Sequence, residues 1–244
     1  MSLQSKDLLH YLTYSPNDEL WGAVITTVGF QFIPSGSPYP LSKHPENYDF
    51  HKQDGRVLNE YQFIYISKGH GQFISSHQKQ TTVKAGDLLI LFPGEWHNYY
   101  PDEDSGWDEY WVGFRGSYFE QLRSKQFFSI DNPVLHIGIS NSLIGLYEDL
   151  ARTAENEKAG YQIMMAGILQ HITSTIIFKY KNKPFHDSYI IEKLAAARRI
   201  MKEQIEEPIS PEVIATQLGL GYSWFRRMFK DYTGVSPAQY QIQL

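Results

Sequence analysis

The spacing of the apolar residues changes once along this chain, near Arg115. Before that point, short runs of aromatic and β-branched residues are separated by Gly, Pro and polar turns, which is typical of antiparallel strands. After it, apolar residues recur every three or four positions, which indicates amphipathic helices. The absence of strand–helix alternation argues against a parallel sheet. The sequence therefore predicts an α+β fold, with a closed β-sandwich or barrel first and helices afterwards.

The clearest strand-forming stretch is "YQFIYISKGHGQFISSHQKQTTVKAGDLLILFPGEWHNYY", residues 61–100. Turns are predicted at Lys68-Gly69 and at Ala85-Gly86-Asp87, where glycine favours a reversal of the chain. The predicted strands are 63–66, 72–74, 81–83, 88–92 and, after an acidic loop, 110–114.

Two helices are predicted beyond the strands, because Leu143–Ala154 and Met165–Ile176 each carry an apolar stripe with helical spacing. The short segment 155–160 between them places the helices antiparallel. Each stripe is wider than an antiparallel pair needs to cover. We therefore predict that these helices also form a homodimer contact, although part of the surface would pack on the barrel instead.

The last part of the chain has the pattern of a helix-turn-helix. Ser210 is placed to cap a short helix with Pro211 in its first position, where the missing N–H has no cost. Gly219 can adopt the left-handed conformation that ends this helix, and a second helix begins near Tyr222. Two short helices joined by a glycine turn are typical of DNA-binding domains.

The second of these helices has two different faces. Phe225 and Phe229 share one face, whereas Ser223, Arg226 and Lys230 lie on the opposite one. Arginine can form paired hydrogen bonds with guanine in the major groove, and lysine or serine can hold phosphate. The alternative is a solvated face of a small helical domain; the helix-turn-helix frame favours the DNA-binding interpretation.

Charge is distributed unevenly along the chain. Residues 187–244 carry as many basic as acidic side chains, so the net charge of −5 belongs to the first 186 residues. A local patch rather than a basic coat would therefore contact DNA. The chain has no cysteine, no apolar run long enough for a membrane span and no pattern of a secretion signal at its start. We expect a cytoplasmic protein without membrane association.

The C-terminal sequence "ISPEVIATQLGLGYSWFRRMFKDYTGVSPAQYQIQL" resembles the AraC/XylS-type (arabinose-regulator) transcription factors, and "FKDYTGVSPAQY" is its most specific part. The resemblance covers about residues 190–244. It implies that Tyr222, Ser223, Arg226 and Arg227 contact bases and that Lys230 lies near the DNA backbone. Gly221 departs from the serine cap that is usual in this family.

The β-rich part is similar to the cupin-like effector domain of the same family, in "EYQFIYISKGHGQF" and "AGDLLILFPGEWHNYYPDEDSGWDEYWVGFRG". The resemblance implies a jelly-roll barrel with an effector pocket that an N-terminal arm closes. By position, Arg56, Tyr99, Glu109 and Trp111 line that pocket. Aromatic faces beside a carboxylate and a guanidinium suit a polar ring such as a sugar. Alternatively, Tyr99 and Trp111 are barrel core.

Together these resemblances imply a ligand-responsive transcription regulator that binds promoter DNA, senses a sugar or sugar derivative and forms a homodimer. The implied domains are an effector domain at 1–116, a helical dimerisation region at 117–180, a linker at 181–189 and a DNA-binding domain at 190–244. The family's DNA-binding unit has two helix-turn-helix motifs, and this sequence contains the first. We accordingly expect a chain truncated at its C-terminus that binds operator DNA weakly.

Two other functions are compatible with a cupin-like barrel. A metal-dependent enzyme, such as a sugar isomerase or dioxygenase, needs several histidines and a glutamate around one ion. The strand pair 61–74 has no His-x-His, His70 lies alone in a glycine turn, and His97 is a single candidate ligand. We therefore expect no enzyme activity, catalytic metal or cofactor. A stand-alone sugar-binding protein would leave the C-terminal helices without a role.

Overall fold

The computed structural model describes residues 7–40, 54–185 and 187–244, and it divides the chain into Met1–Tyr180 (unit 1) and Lys181–Leu244 (unit 2). Parts of the predicted effector domain, 1–6 and 41–53, and residue 186 of the predicted linker lie outside the described residues. None of the helices in the described ranges combines the length and apolarity that a membrane span requires.

Unit 1 contains two antiparallel sheets that share one long strand. The first has the order β1-β2-β8-β4-β6-β9, and in the second β4 pairs with β5 and β7, and β7 with β3. The strands are β1 Leu8–Tyr11, β2 Val24–Ile33, β3 Arg56–Val57, β4 Tyr61–Ser75, β5 Thr81–Lys84, β6 Asp87–Leu91, β7 Trp96–Pro101, β8 Trp107–Arg115 and β9 Val134–His136. The helices are α1 Pro16–Glu19, α2 Ser117–Ser124, α3 Asn141–Asn156 and α4 Tyr161–Asn182.

The turn predicted at Lys68-Gly69 is wrong, because β4 runs through it. Its first half pairs with β6 and β8 and its second half with β5 and β7. The register shifts between Ile66 and Lys68, and Gly69, at a φ of 80°, supplies a bend. A Cβ atom on Gly69 would lie 2.1 Å from the carbonyl oxygen of Gly106, so only glycine fits. The predicted turn is thus the corner at which one strand passes between two sheets.

The alternation of side chains along these strands creates two cores. On β8, Tyr110, Val112 and Phe114 face a cluster that also contains the buried residues of α3 and α4. Trp107 and Trp111 face a second cluster with Phe73 of β4 and other residues of both sheets. Since successive side chains of a strand point to opposite faces, the outer core holds the helices and the inner core fills the space between the sheets.

Helices α3 and α4 form the predicted antiparallel pair, but their apolar stripes lie inside unit 1. Leu143, Leu150, Met165 and Ile176 are fully buried in the outer core. A contact between two copies of the chain would therefore have to use other residues. On α4, the exposed large hydrophobic side chains are Ile163, Met164, Phe178 and Tyr180.

Unit 2 consists of four helices around a small apolar core. The helices are α5 Ser188–Glu203, α6 Pro211–Gln217, α7 Tyr222–Thr233 and α8 Pro237–Ile242. Its fully buried side chains include Leu194 of α5, Ile214 and Ala215 of α6, and Phe225 and Phe229 of α7. The predicted α+β class, with a cupin-like barrel and helical pair followed by an all-α unit, is confirmed.

One buried amide joins helix α4 to the sheet. Gln162 Nε2 donates to the carbonyl oxygens of Thr13 and Ile25, both at 2.9 Å, and Gln162 Oε1 accepts from the backbone N–H of Ile25 at 2.9 Å. These bonds give hydrogen-bond partners to the backbone N–H and carbonyl oxygen of Ile25, next to the register shift between Ile25 and Thr27. A buried polar group that loses its partner costs about 1–3 kcal/mol.

We predict that Gln162→Ala lowers the free energy of unfolding of unit 1 by about 2–4 kcal/mol, because it removes the hydrogen bonds to the buried backbone N–H and carbonyl oxygen of Ile25. Urea denaturation followed by tryptophan fluorescence measures the change. The control is Gln170→Ala on the exposed face of the same helix, which should alter stability by about 0.5 kcal/mol or less. Equal effects of the two substitutions would contradict this role for Gln162.

Candidate functional site

A polar cavity lies inside the barrel of unit 1, beside β1, β2 and β8. Its volume is about 30 Å³, whereas pockets that bind small molecules are usually on the order of 300–1,000 Å³. In the described conformation the cavity has room for water molecules but not for a sugar, since one water needs roughly 10–15 Å³. The lining residues are Leu9, Tyr11, Thr27, Gln31, Tyr39, Pro40, Arg56, Gln62, Tyr99, Glu109 and Trp111.

All four residues that the sequence predicts for an effector pocket line this one cavity. Arg56 comes from β3, Tyr99 from β7, and Glu109 and Trp111 from β8. Glu109 and Trp111 are brought to the same side by the two-residue alternation of β8. Tyr99 and Trp111 also belong to the inner core, so both rings are core residues that line the cavity.

The position of Trp111 depends on a glycine in the neighbouring strand. Gly29 of β2 is the register partner of Trp111. A Cβ atom on Gly29 would lie 2.3 Å from the indole ring and 2.4 Å from the carbonyl oxygen of Leu8. The missing side chain therefore makes the space into which the indole of Trp111 fits.

Glu109 is a buried carboxyl group with few partners for a negative charge. It is 3% exposed, and the hydroxyl of Tyr39 donates to its two oxygens at 3.3 and 3.4 Å. Burial raises the pKa of Glu109 to about 8; the Tyr39 hydroxyl and the Arg56 guanidinium oppose this rise, and Asp7 adds to it. Near neutral pH the Glu109 carboxyl is mostly protonated and can donate as well as accept a hydrogen bond.

Arg56 and Tyr99 form the second polar wall. Arg56 Nη2 donates to the Tyr99 hydroxyl at 2.9 Å, and the guanidinium carbon lies 5.8 Å from the centre of the Tyr99 ring. That ring stacks at 6.2 Å on Trp107, which fixes its orientation. This wall offers guanidinium donors beside an aromatic face.

A third polar group is hydrogen-bonded to two residues that line the cavity. Glu60 is 1% exposed, and its Oε1 accepts from Gln62 Nε2 at 2.9 Å and from Thr27 Oγ1 at 3.3 Å. A Cβ atom on Gly113 would lie 2.2 Å from Glu60 Oε1 and 2.2 Å from Thr27 Oγ1, so glycine at this position makes room for the hydrogen bond between them.

Sequence reasoning missed most of the remaining polar lining. Thr27 and Gln31 alternate with the outward-facing Val28 and Phe30 of β2, so a period-2 analysis of "VITTVGFQFI" would have found them. Tyr39 has no such signal, because it lies outside any strand and reaches the cavity through a loop.

His97, the single metal-ligand candidate, is 1% exposed and is not among the residues that line the cavity. Its Nδ1 lies 3.0 Å from the carbonyl oxygen of Glu95, and burial, assisted by the Arg56 charge, lowers its pKa to about 3. His70 lies instead beside Asp102 and Asp104. Within the described ranges, no three His, Asp or Glu side chains form a group that could hold a metal ion, so the donor set of a cupin enzyme is not met there.

The second candidate site is the exposed face of α7 in unit 2. Ser210 Oγ accepts from the backbone N–H of Val213 and caps α6, whereas Gly221 gives α7 no side-chain cap. Gly219 turns the chain with a φ of 70°. Lys193 of α5 donates to the carbonyl oxygen of Leu218 at 2.8 Å and ties the end of α6 to α5.

The residues predicted to contact DNA differ in their surroundings. Ser223, Arg226, Arg227 and Lys230 are exposed, on the side of α7 opposite the buried Phe225 and Phe229. Tyr222 is partly buried, packs against the core of unit 2 and interacts with the carboxylate of Glu212 on α6. The four exposed residues are free to meet a groove, while Tyr222 is held by the neighbouring helix.

Comparison with known proteins matches residues 35–172 to the family described as "AraC-like ligand binding domain". The MmsAB operon regulatory protein of Pseudomonas aeruginosa is 24% identical over 210 residues, which cover 84% of this chain and 67% of that protein. The raffinose operon transcriptional regulatory protein RafR of Pediococcus pentosaceus is 24% identical over 251 residues, which cover 80% of this chain and 88% of that protein.

Two solved structures illustrate the level of structural similarity. An apo variant of ToxT from Vibrio cholerae has a TM-score of 0.34 and 13% identity, covering 91% of this chain and 98% of ToxT. A cupin protein from Bacteroides fragilis has a TM-score of 0.31 and 19% identity, covering 46% of this chain and 80% of that protein.

The raised pKa of Glu109 predicts how stability depends on pH. The unfolded chain ionises this carboxyl above about pH 4.5, whereas the folded protein retains the proton up to about pH 8. The folded state binds more protons in this window, so its stability should fall as pH rises, by on the order of 1 kcal/mol per pH unit, and should level off above pH 8. Tyr39, Arg56, Tyr99 and Asp7 are the titratable or charged groups around it.

The measurement compares urea unfolding of the wild type and Glu109→Gln between pH 5 and 9. The difference in unfolding free energy between the two proteins should become more favourable to the variant as pH rises to 8. A difference that is constant over this range would show that Glu109 does not retain its proton.

Proposed function

Because the chain belongs to the family of AraC-like ligand binding domains, we propose that it is a transcription regulator whose barrel binds a small polar effector and whose helix α7 binds promoter DNA. The observation that carries this proposal is the convergence of Arg56, Tyr99, Glu109 and Trp111, from three different strands, on one cavity. The relatives are named as operon regulators, which supports a regulator over an enzyme.

The chemistry of the cavity favours a sugar or a sugar derivative. Aromatic rings such as Trp111 can stack on the C–H face of a sugar ring. Glu109, Arg56 and the amides of Gln31 and Gln62 supply both donors and acceptors for hydroxyl groups. The name of one relative refers to a raffinose operon, which is consistent with a carbohydrate.

The chemistry of α7 favours the major groove of DNA. Arg226 and Arg227 are exposed one turn beyond the start of α7, where side chains of a recognition helix reach base edges. Ser223 and Lys230 on the same side suit phosphate oxygens. Tyr222 remains a proposed base contact, which requires that it leave Glu212 when DNA binds.

We further propose the division into an effector domain (1–116), a helical dimerisation region (117–180), a linker (181–189) and a DNA-binding domain (190–244). Homodimerisation would then use the outer face of α4, where Ile163, Met164 and Phe178 are exposed, since the inner face packs on the sheet. A dimer presents two copies of α7 to DNA and so raises the effective affinity.

Thermal-shift screening of a sugar library tests effector binding. We expect at least one sugar to raise the melting temperature of the wild type, because a ligand that binds only the native state stabilises it. Trp111→Ala should abolish that rise by removing the stacking surface. The matched control is Trp21→Ala, which alters an exposed tryptophan that does not line the cavity and should preserve the rise. A sugar that stabilises both variants equally would exclude this cavity as its site.

A mobility-shift titration with the natural promoter at about 0.15 M salt tests DNA binding. Arg226→Ala should weaken specific binding by about 1–3 kcal/mol, or roughly 5- to 150-fold, if the side chain forms a bidentate contact with a base. Arg199→Ala removes an exposed arginine of α5 and serves as the control. If both substitutions have the same effect, α7 does not read the bases.

A further inference from the structure

The cavity proposed for the effector already contains a side chain of the protein itself. The ring of Tyr39 lies 5.9 Å from that of Trp107 in an edge contact and 6.2 Å from that of Tyr99. Its hydroxyl donates to both oxygens of Glu109. Tyr39 thus presents a ring to the aromatic wall and a hydroxyl to the buried carboxyl, which are the contacts expected of a bound ligand.

The remaining space supports the same conclusion. With Tyr39 in place the cavity measures about 30 Å³, which is too small for any ring-shaped molecule. A ligand can occupy it only after a lining side chain has moved. Trp111 is packed against Gly29 and Glu109 lies within a strand paired on both sides, whereas Tyr39 reaches the cavity from a loop.

The loop that carries Tyr39 is hydrogen-bonded to the barrel at Ser35 and Gly36. The backbone N–H of Gly36 and the hydroxyl of Ser35 donate to the carbonyl oxygen of Glu103 at 2.8 and 3.0 Å. The contacts of the Tyr39 hydroxyl with Glu109, at 3.3 and 3.4 Å, are longer than the roughly 2.5–3.0 Å of a good O–H···O bond. A hydroxyl group of a ligand can replace these contacts with Glu109 and the hydrogen bond between Tyr39 and Tyr99.

We propose that Tyr39 is a built-in occupant of the ligand cavity and that the effector, a molecule with a hydroxylated ring, binds by displacing it. This inference rests on the proposed function, in which the cavity is the effector site. The shared chemistry is a ring that bears a hydroxyl donor, whether the ring is a sugar or a phenol. The apparent affinity for the effector is then its intrinsic affinity multiplied by the fraction of molecules in which Tyr39 has left the cavity.

The test uses 4-methylphenol, which is the side chain of tyrosine without its backbone, as a probe in isothermal titration calorimetry. Tyr39→Ala should bind the probe at least about tenfold more tightly than the wild type. The reason is that the Tyr39 ring would occupy the cavity in about 90% or more of the wild-type molecules and leave about a tenth or fewer able to bind. Tyr118→Ala removes a partly buried tyrosine that does not line the cavity and should bind the probe no better than the wild type.

Tyr39→Leu is the second variant, because it retains an apolar side chain over the rings and keeps the test valid if Tyr39→Ala does not fold. Its affinity for 4-methylphenol should lie between those of the wild type and Tyr39→Ala. Equal affinity of the wild type and the folded Tyr39 variants for the probe would overturn the proposal.

The probe also separates this proposal from the function on which it rests. A sugar from the screen that binds the wild type and Tyr39→Ala with equal affinity would refute displacement and leave effector binding intact. If Tyr39→Ala binds the probe more tightly but no sugar in the library raises the melting temperature, the result would support Tyr39 as an occupant of the cavity. It would count against a sugar as the effector.

Discussion

The burial of both faces of strand β8 is the constraint on which unit 1 depends. The strand pairs with β2 on one side and with β4 on the other. Its outward side chains, Tyr110, Val112 and Phe114, support the helices, and its inward side chains reach the cavity. A register slip by one residue would exchange the two sets and place Glu109 in the apolar outer core. The same alternation thus determines both the fold and the lining of the cavity that we propose as the effector site.

A polar interior is costly for a barrel of this size, and the structure shows how the cost is limited. Glu60 accepts hydrogen bonds from Thr27 and Gln62, and Arg56 donates to Tyr99. Glu109 instead retains its proton up to about pH 8, since a neutral carboxyl is cheaper to bury than a charged one. Apolar residues in these places would make a more stable protein. The proposed polar effector accounts for their polarity.

Sequence analysis reached those parts of the structure that follow from local periodicity. Helical spacing placed Phe225 and Phe229 on the buried side of α7, whereas the family resemblance placed Glu109 and Trp111 in one pocket. Sequence analysis misjudged Lys68-Gly69, where glycine bends a strand instead of ending it. It foresaw only in part that the stripes of α3 and α4 are covered by the sheet, and it did not foresee that Tyr39 enters the cavity from a loop. These features depend on contacts between distant segments, which no local pattern encodes.

The indole N–H resonances of the tryptophans provide the most direct test of the claim that the barrel cavity is the effector site. The chain has five tryptophans; Trp107 and Trp111 belong to the inner core beside the cavity, whereas Trp21 lies exposed on unit 1 and Trp224 lies in unit 2. A ¹H–¹⁵N spectrum is recorded while a sugar that stabilises the protein is added. The account predicts that the resonances of Trp107 and Trp111 shift with the titration and that those of Trp21 and Trp224 do not. Shifts confined to Trp21 or Trp224 would contradict it.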